Sequence, residues 1–294
     1  MWSKGLMESM NSCLKMKRKA KEETAFMRNG RVLLEGLIAF GNGKSNPIHI
    51  FSAEELRRAT NNYDQCWHLL LASDFDFYKG SLEDYLISVK KYRHEILGLN
   101  DIIKDIVLGS QMRVHQNVLK LLGCCLETKN PIIVYEFVGA RNLYNCICIP
   151  PTKRVHSEPL PWKCRLKIAM GIDNAIAYLH TSFSRPTIHR NVRLHTIILD
   201  NNNVAKPNDF SLSICIFEGQ LHVETDICGT TGYVAPEYFF KVNEKTDLYS
   251  FGMPLLTHLT GWFIFRWWIW YWGLLSSRLG AFLCWTKLGN QSCR

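Results

Sequence analysis

The chain has 294 residues, of which 47% are hydrophobic, and a formal net charge of +9. This apolar content excludes wholesale disorder, and the length is sufficient for one two-lobed domain or two small domains. None of the 11 cysteines forms a C-x-x-C pair, and no cluster of histidines lies near them in the sequence. Their spacing therefore excludes a typical zinc site and favours reduced thiols in a cytosolic protein.

Part of the positive charge is concentrated near the N-terminus. The basic residues there are Lys15, Lys17, Arg18, Lys19 and Lys21. The segment is interpreted either as a solvated tail or as part of a membrane anchor in which Cys13 is acylated, because stable attachment usually takes two such signals. The cluster lacks interleaved aromatic residues, so nucleic acid is not an expected partner. The expected location is the cytoplasm or, under the second interpretation, the inner face of the plasma membrane.

The first predicted element after the polar stretch at residues 41–47 is a short helix that starts at Ser52. Ser52 and Glu55 have the spacing of a capping box, in which each residue bonds to the backbone of the other. The main domain is therefore expected to begin near Ile50. The predicted organisation is an N-terminal basic segment and linker at residues 1–50, a main domain at 51–261 and an aromatic-rich tail at 262–294.

The middle of the chain predicts two strands and a long helix. The apolar runs NVLKLLGCCLE at residues 117–127 and PIIVYEFV at 131–138 are separated by a polar turn, which is typical of neighbouring strands. Residues 161–180 predict a helix with one continuous apolar face. The residues at helical spacing on that face are Leu166, Ala169, Ile172, Ile176 and Leu179.

Three motifs follow in a fixed order. Residues 188–200 read IHRNVRLHTIILD, residues 208–211 read NDFS and residues 229–237 read GTTGYVAPE. They resemble the H-R-D-x-x-x-x-N catalytic loop, the D-F-G motif and the A-P-E motif of eukaryotic protein kinases. FSAEELRRATNNY at 51–63 and KTDLYSFG at 245–252 resemble segments of plant receptor-like kinases. The resemblance implies an α+β, bilobal fold with a small β-rich N-lobe and a helical C-lobe, whose last helices have no counterpart here.

The resemblance also assigns a nucleotide site. Lys90, in ISVK at residues 87–90, corresponds to the lysine that holds the phosphates, and Asp105 corresponds to its glutamate partner, with a shorter reach. Glu136 to Val138 would form the hinge beside the adenine, and Asp209 would bind a metal. ATP and Mg²⁺ are therefore the implied cofactors, bound weakly or not at all because several other positions have changed.

The changed positions are those that carry out phosphoryl transfer. Asn191 stands where the base aspartate is expected and Thr196 where a metal-binding asparagine is expected. Loss of a general base alone lowers a rate by roughly 10²- to 10⁴-fold. Ser211 replaces a glycine and is expected to stiffen the turn after Phe210. Arg190 persists, and the resemblance assigns it to pairing with a phosphorylated residue of the activation loop.

The loop that should cover the phosphates is also altered. It normally contains three glycines because backbone N–H groups must approach the phosphates closely. The equivalent positions here are Leu70, Ala72 and Phe75, and residues 61–79 contain no glycine. A flexible cover over a nucleotide is therefore not expected.

Together these features resemble the ZED-related pseudokinases of plants. That resemblance implies a catalytically deficient kinase that acts as an adaptor or decoy between a coiled-coil nucleotide-binding immune receptor and a receptor-like cytoplasmic kinase. Two alternatives stay open. One is a weakly active Ser/Thr kinase that uses Lys90 and Asp209 with an unorthodox base, for which Asp200, Asp209 and His189 are nearby candidates. The other is a truncated, non-functional kinase product.

The tail has no counterpart in the family. Residues 262–275 read WFIFRWWIWYWGLL. A membrane-spanning helix needs about 20 apolar residues, and Arg266 interrupts the run. A spanning helix, an interfacial aromatic segment and an unrelated sequence joined to the domain are the three interpretations.

Overall fold

The computed structural model describes residues 24–41, 48–71, 74–83, 85–93, 97–139, 141–148, 160–235 and 241–260. They form a two-lobed α+β fold, as the motifs imply. The basic cluster at residues 15–21, Cys13, Ala72 and the tail at 262–294 lie outside the described residues. No helix in the described ranges combines the length and the apolar character that crossing a membrane requires.

The small lobe is built on a six-stranded sheet with the order β1-β5-β6-β4-β3-β2. Strand β1 runs parallel to β5, and the other neighbours are antiparallel. The two strands predicted from the apolar runs are confirmed as β5 and β6. The bounds are β1 His49–Ile50, β2 His68–Leu71, β3 Phe75–Leu82, β4 Tyr85–Tyr92, β5 Leu121–Cys125 and β6 Ile132–Glu136.

Within the described ranges, three α-helices accompany this sheet: α1 Ala25–Gly41, α2 Ala53–Ala59 and α3 Leu99–Met112. The capping box of α2 is confirmed, because the Ser52 side chain accepts a hydrogen bond from the Glu55 N–H and the Glu55 carboxylate accepts one from the Ser52 N–H. Helix α3 is buried along much of its length, which places its side chains between the sheet and the large lobe.

Helix α1 extends the small lobe upstream of the boundary expected near Ile50. It packs against α3, and Leu33 belongs to the same hydrophobic core as the α3 residues Ile103 and Val107. The buried Asn29 side chain donates hydrogen bonds to the carbonyl oxygens of Leu126 and Thr128, both at 2.9 Å. Residues 25–41 are therefore a packed part of the lobe and not a linker.

The large lobe contains helices α4 Leu143–Cys148, α5 Trp162–Thr181 and α6 Glu244–Thr260. The predicted long helix is α5, and four of the five predicted apolar positions are buried. The fifth, Leu166, is 40% exposed, and Ile168 contributes to the core instead. The short strands are β7 Arg141–Asn142, β8 Thr187–Ile188, β9 Ile197–Leu199, β10 Ala205–Pro207, β11 Ile214–Cys215, β12 Val223–Glu224 and β13 Lys241–Val242.

Candidate nucleotide and catalytic site

The predicted pair between Lys90 and Asp105 is formed. Lys90 lies on β4 and Asp105 on α3, and the ammonium nitrogen is 2.9 Å from Asp105 Oδ2. Both side chains are fully buried. The shorter aspartate therefore reaches the lysine across the interior of the small lobe.

Asp105 accepts three further hydrogen bonds, which explains why a buried carboxylate is tolerated here. The hydroxyl groups of Tyr92 and Tyr135 donate to Oδ2 at 2.6 and 3.3 Å, and the N–H of Phe210 donates to Oδ1 at 2.6 Å. Burial, followed by the negative charge of Asp105, raises the pKa of Tyr92 and of Tyr135 well above the usual value. Both tyrosines therefore stay protonated and act as donors.

Asp209 lies on the other side of Lys90. Its Oδ1 is 3.0 Å from the lysine nitrogen and accepts a hydrogen bond from the Ser211 hydroxyl at 2.8 Å. Arg193 approaches Oδ2 at 3.6 Å. Burial opposes ionisation of Asp209, but the charges of Lys90 and Arg193 and the hydroxyl of Ser211 outweigh it and lower its pKa. Asp209 is therefore a carboxylate whose neighbours are already protein cations.

The turn around Asp209 does not need the glycine that Ser211 replaces. The residue with a positive φ in this turn is Asp209, at 75°, whereas the φ of Ser211 is not positive. The hydrogen bond from Ser211 to Asp209 adds to the contacts that hold this left-handed conformation. The predicted stiffening is thus accompanied by a direct contact between the two side chains.

Aromatic side chains fill the space above Lys90. Phe75, at the third glycine position, is fully buried, and its ring centroid lies 4.0 Å from the Lys90 nitrogen. The rings of Phe77 and Tyr92 pack against Phe75 at centroid distances of 5.5 and 6.0 Å. The ammonium group that would receive phosphates in a working kinase is therefore covered by a ring, in a favourable cation–π arrangement.

The hinge residues have ordinary structural contacts. The Glu136 N–H donates to the Lys120 carbonyl oxygen at 2.9 Å, and its carboxylate lies 3.2 Å from the Lys206 nitrogen. Val138 packs against the small-lobe core. The two residues lie in the segment between the lobes, and the Glu136 side chain adds an ion pair to the large lobe.

The catalytic loop is held by Asp247, on helix α6. Its carboxylate accepts hydrogen bonds from the N–H groups of His189 and Arg190 at 2.6 and 2.8 Å, and it lies 2.8 Å from His180 Nε2. Asp247 thus fixes the backbone of the catalytic loop. Asn191, in the same loop, accepts a hydrogen bond from the Thr230 hydroxyl at 2.7 Å. The side chain at the base position is therefore bound to the activation segment.

The remaining two predicted site residues also have contacts within the large lobe. The Thr196 hydroxyl donates to the Arg193 carbonyl oxygen at 3.1 Å. The Arg190 guanidinium donates to the carbonyl oxygens of Asp226 at 2.9 Å and Leu212 at 3.4 Å. The Arg190 side chain thus contacts the backbone of the activation segment.

ATP with Mg²⁺, which the kinase family uses, does not fit the residues that surround this cleft. Among the residues that the structure describes, the cavity lined in part by Leu70, Phe77, Ser88 and Ile198 has a volume of ≈ 10 Å³. That is room for about one water molecule, whereas ligand sites usually enclose about 300–1,000 Å³.

The donor set for a metal is equally poor. Asp209 Oδ2 is a buried oxygen without a hydrogen-bond partner among the described residues, and the Arg193 guanidinium lies 3.6 Å from it. The hydroxyl of Thr196 is directed to its own loop. No cluster of three or more metal-ligating side chains occurs within the described ranges. Mg²⁺ is usually held by one or two carboxylates together with waters and substrate phosphates. Here the Asp209 carboxylate already lies 3.0 Å from the Lys90 nitrogen and 3.6 Å from the Arg193 guanidinium, so a further cation would be repelled.

The motif comparison missed two residues of the site, Asp74 and Arg193. Asp74 Oδ2 is 2.7 Å from the Arg193 guanidinium. A signal for Asp74 was present in the sequence, because a carboxylate is electrostatically unsuited to a loop that covers phosphates. Arg193 gave no such signal, since a basic residue in a phosphotransfer loop is ordinary.

Comparisons with known proteins agree with this architecture. Residues 76–260 match the family profile of protein tyrosine and serine/threonine kinases. The non-functional pseudokinase ZED1 of Arabidopsis thaliana is 39% identical over 250 residues, which cover 83% of this chain and 73% of ZED1.

Two further relatives from Arabidopsis thaliana have names that denote kinases. The serine/threonine-protein kinase ZRK1 is 40% identical, with 83% of this chain and 72% of ZRK1 covered. The wall-associated receptor kinase-like 6 is 36% identical, with 84% of this chain covered but only 39% of the relative. The chain belongs to the protein kinase family, and it is similar to pseudokinases of the ZED1 and ZRK type and to wall-associated receptor kinase-like proteins.

Proposed function

We propose that this protein is a catalytically deficient kinase that works as a protein-binding adaptor or decoy in plant immune receptor signalling. The observation that carries the proposed catalytic deficiency is the position of the Phe75 ring. The ring covers the Lys90 ammonium group, which would hold the nucleotide phosphates in a working kinase. The loss of the base at Asn191 supports it independently, because Asn cannot accept a proton as a carboxylate does.

Two of the candidates for an unorthodox base, Asp200 and His189, are bound to backbone groups nearby. Asp200 Oδ1 accepts hydrogen bonds from the backbone N–H groups of Asn202 and Val204, which fix it in a turn. His189 is buried, and burial lowers its pKa, while its Nδ1 accepts a hydrogen bond from the Asn191 N–H. Asp200 and His189 are thus engaged in the structure of the loop, and the third candidate, Asp209, is paired with Lys90 at 3.0 Å.

The adaptor half of the proposal rests on resemblance. ZED1 and ZRK2 are both named as non-functional pseudokinases. The proposed partners are a coiled-coil nucleotide-binding immune receptor and a receptor-like cytoplasmic kinase. The catalytic loop fixed by Asp247 supports such a role, because a preorganised surface loses less entropy when it binds a partner. Peripheral contact with the plasma membrane through the basic cluster at residues 15–21 is part of the same proposal.

A weakly active Ser/Thr kinase is the second candidate. The intact arrangement of Lys90, Asp105 and Asp209 favours it, as do relatives such as ZRK1 that are named as kinases. Activity would require the Phe75 ring to leave the Lys90 ammonium group and a base to be recruited from elsewhere.

The nucleotide test separates the two candidates. With Mg²⁺ and ATP in large excess, we expect the melting temperature of the full chain to stay unchanged, because only a ligand that binds the native state raises it. Incorporation of labelled phosphate into a generic protein substrate should equal that of the Asp209→Asn variant. A kinase with intact motifs, measured in parallel, provides the positive control. A melting shift together with phosphorylation above the variant would favour the weak kinase.

The adaptor role requires its own measurement. We expect the chain to co-elute in size-exclusion chromatography with a co-expressed coiled-coil nucleotide-binding immune receptor, and to recruit a receptor-like cytoplasmic kinase to that complex. The Asn191→Asp variant should form the same complexes, since the proposed function does not use catalysis. Failure to co-elute with any member of a receptor panel would contradict the adaptor role and leave the nucleotide result unaffected.

A further inference from the structure

Asp74 and Arg193 connect the two lobes directly. Asp74 precedes β3 in the small lobe, and Arg193 lies in the catalytic loop of the large lobe. Their side chains meet at 2.7 Å and are only 15% and 8% exposed. The contact joins residues 119 positions apart in the sequence. Because it is largely removed from solvent, this ion pair is screened by salt much less than a surface pair.

The Asp74 backbone is held by a hydrogen bond and by the buried residue that follows it. The Asp74 carbonyl oxygen accepts a hydrogen bond from the Arg93 N–H at 3.0 Å. The next residue, Phe75, is buried on the Lys90 ammonium group. The backbone at Asp74 is therefore fixed against the small lobe, and its carboxylate is directed across the cleft.

The pair continues into the buried charges of the site. Arg193 lies 3.6 Å from Asp209 Oδ2, and Asp209 Oδ1 lies 3.0 Å from the Lys90 nitrogen. Successive contacts thus connect Asp74 of the small lobe to Arg193 and Asp209 of the large lobe. Lys90 and Asp105 continue the series back into the small lobe. Its two cations face three carboxylates, so the cluster has no excess positive charge with which to attract a triphosphate.

A working kinase joins these same segments through its ligands. The nucleotide phosphates contact the covering loop and the lysine, and the metal ions connect them to the D-F-G aspartate. Here a carboxylate of the covering loop and a guanidinium beside Asp209 make a connection between the same segments. We infer that Asp74 and Arg193 form an interlobe ion pair that takes the place of the nucleotide and metal, and holds the lobes together without a ligand. This inference stands on the geometry of the cleft and does not require any protein partner.

Amide hydrogen exchange tests this inference because it reports local opening in each lobe separately. We expect Asp74→Asn to increase exchange in the catalytic loop at residues 190–196, although the substitution lies in the other lobe. Arg193→Gln should increase exchange at residues 68–78. The expected loss of protection is roughly tenfold, within the range for coupled residues. The double variant should show no more exchange than the more affected single variant.

Asp76→Asn is the matched control. Asp76 lies two residues away and pairs with Arg93 at 2.8 Å and with His68 at 3.3 Å, both within the small lobe. Asp76→Asn should therefore increase amide hydrogen exchange in the small lobe and leave the catalytic loop unchanged. Arg193→Lys, which keeps the positive charge, should retain part of the protection, and circular dichroism melts identify any variant that fails to fold.

Two results would overturn the inference: an Asp74→Asn effect confined to the small lobe, or single-variant effects that simply add in the double variant. The proposed function fails on a different result, namely nucleotide binding and phosphotransfer by the unaltered chain. An additive exchange pattern without nucleotide binding would therefore reject the ion pair and leave the proposed function in place.

Discussion

Replacement of Lys90 by methionine is expected to lower the free energy of unfolding by roughly 3–5 kcal/mol, the usual effect of removing one partner from a buried ion pair. Asp105 and Asp209 are 0% and 1% exposed, and the lysine nitrogen lies within 3.0 Å of both carboxylates. Without it, two buried carboxylates face each other. The equivalent lysine in a working kinase binds the nucleotide phosphates, whereas Lys90 stabilises the folded protein by pairing with two buried carboxylates.

Urea denaturation of the variant and of a matched Lys91→Met control measures this effect. The Lys91 nitrogen lies 4.2 Å from the centroid of the Tyr63 ring and is not in the buried cluster, so its loss should lower the free energy of unfolding by about 0.5–1 kcal/mol. Equal, small effects for both variants would show that the carboxylates take up protons or water without penalty.

The pH dependence of the same difference gives a second readout. The folded-state pKa of Asp209 lies below its unfolded value of about 3.9. Its ionisation therefore stabilises the native state above about pH 4, and this contribution is lost as the pH falls toward the folded pKa. Without Lys90, burial favours the protonated acid and raises the pKa. The folded Lys90→Met variant therefore takes up a proton between pH 7 and 4 and gains stability, whereas the unaltered protein does not. We expect the difference in the free energy of unfolding between the two proteins to shrink as the pH is lowered from 7 to 4.

The sequence was sufficient to locate Lys90, Asp105 and Asp209, because each follows from counting along motifs whose spacing is set by the chemistry of phosphate and metal binding. Phe75 was identified as a bulky residue at a glycine position, but its orientation was not. Alternation along β3 puts Phe75 and Phe77 on one face, and only the packing of α3 and Tyr135 decides that this face is the interior.

The contacts that sequence reasoning missed are those between distant segments. Helix α1 falls within residues 1–50, which the sequence predicts as a basic segment and linker, and the surface of α3 against which it packs exists only after the lobe has folded. The Asp74–Arg193 pair likewise depends on how far the lobes close. Local periodicity and motif spacing contain no information about a distance between lobes.

Replacement of Phe75 by alanine is the second large effect expected. Truncation of a buried phenylalanine usually lowers the free energy of unfolding by about 3–5 kcal/mol, through lost burial and the cavity that remains. The Lys90 ammonium group also loses the ring 4.0 Å away. Phe217→Ala is the matched control, because Phe217 is 55% exposed and its loss should change the value by no more than about 0.5 kcal/mol.

The same Phe75→Ala variant should not gain affinity for ATP with Mg²⁺ in a thermal-shift titration. The new cavity lies over Lys90, but Asp74 still bridges the cleft to Arg193, and Arg193 still approaches Asp209. A phosphate entering the cavity would meet these carboxylates with the nearby cations already paired. If the variant instead lost little stability and bound the nucleotide, the ring would be a movable cover over a functional site. The loss of stability without binding is the result expected of a ring that has become part of the core.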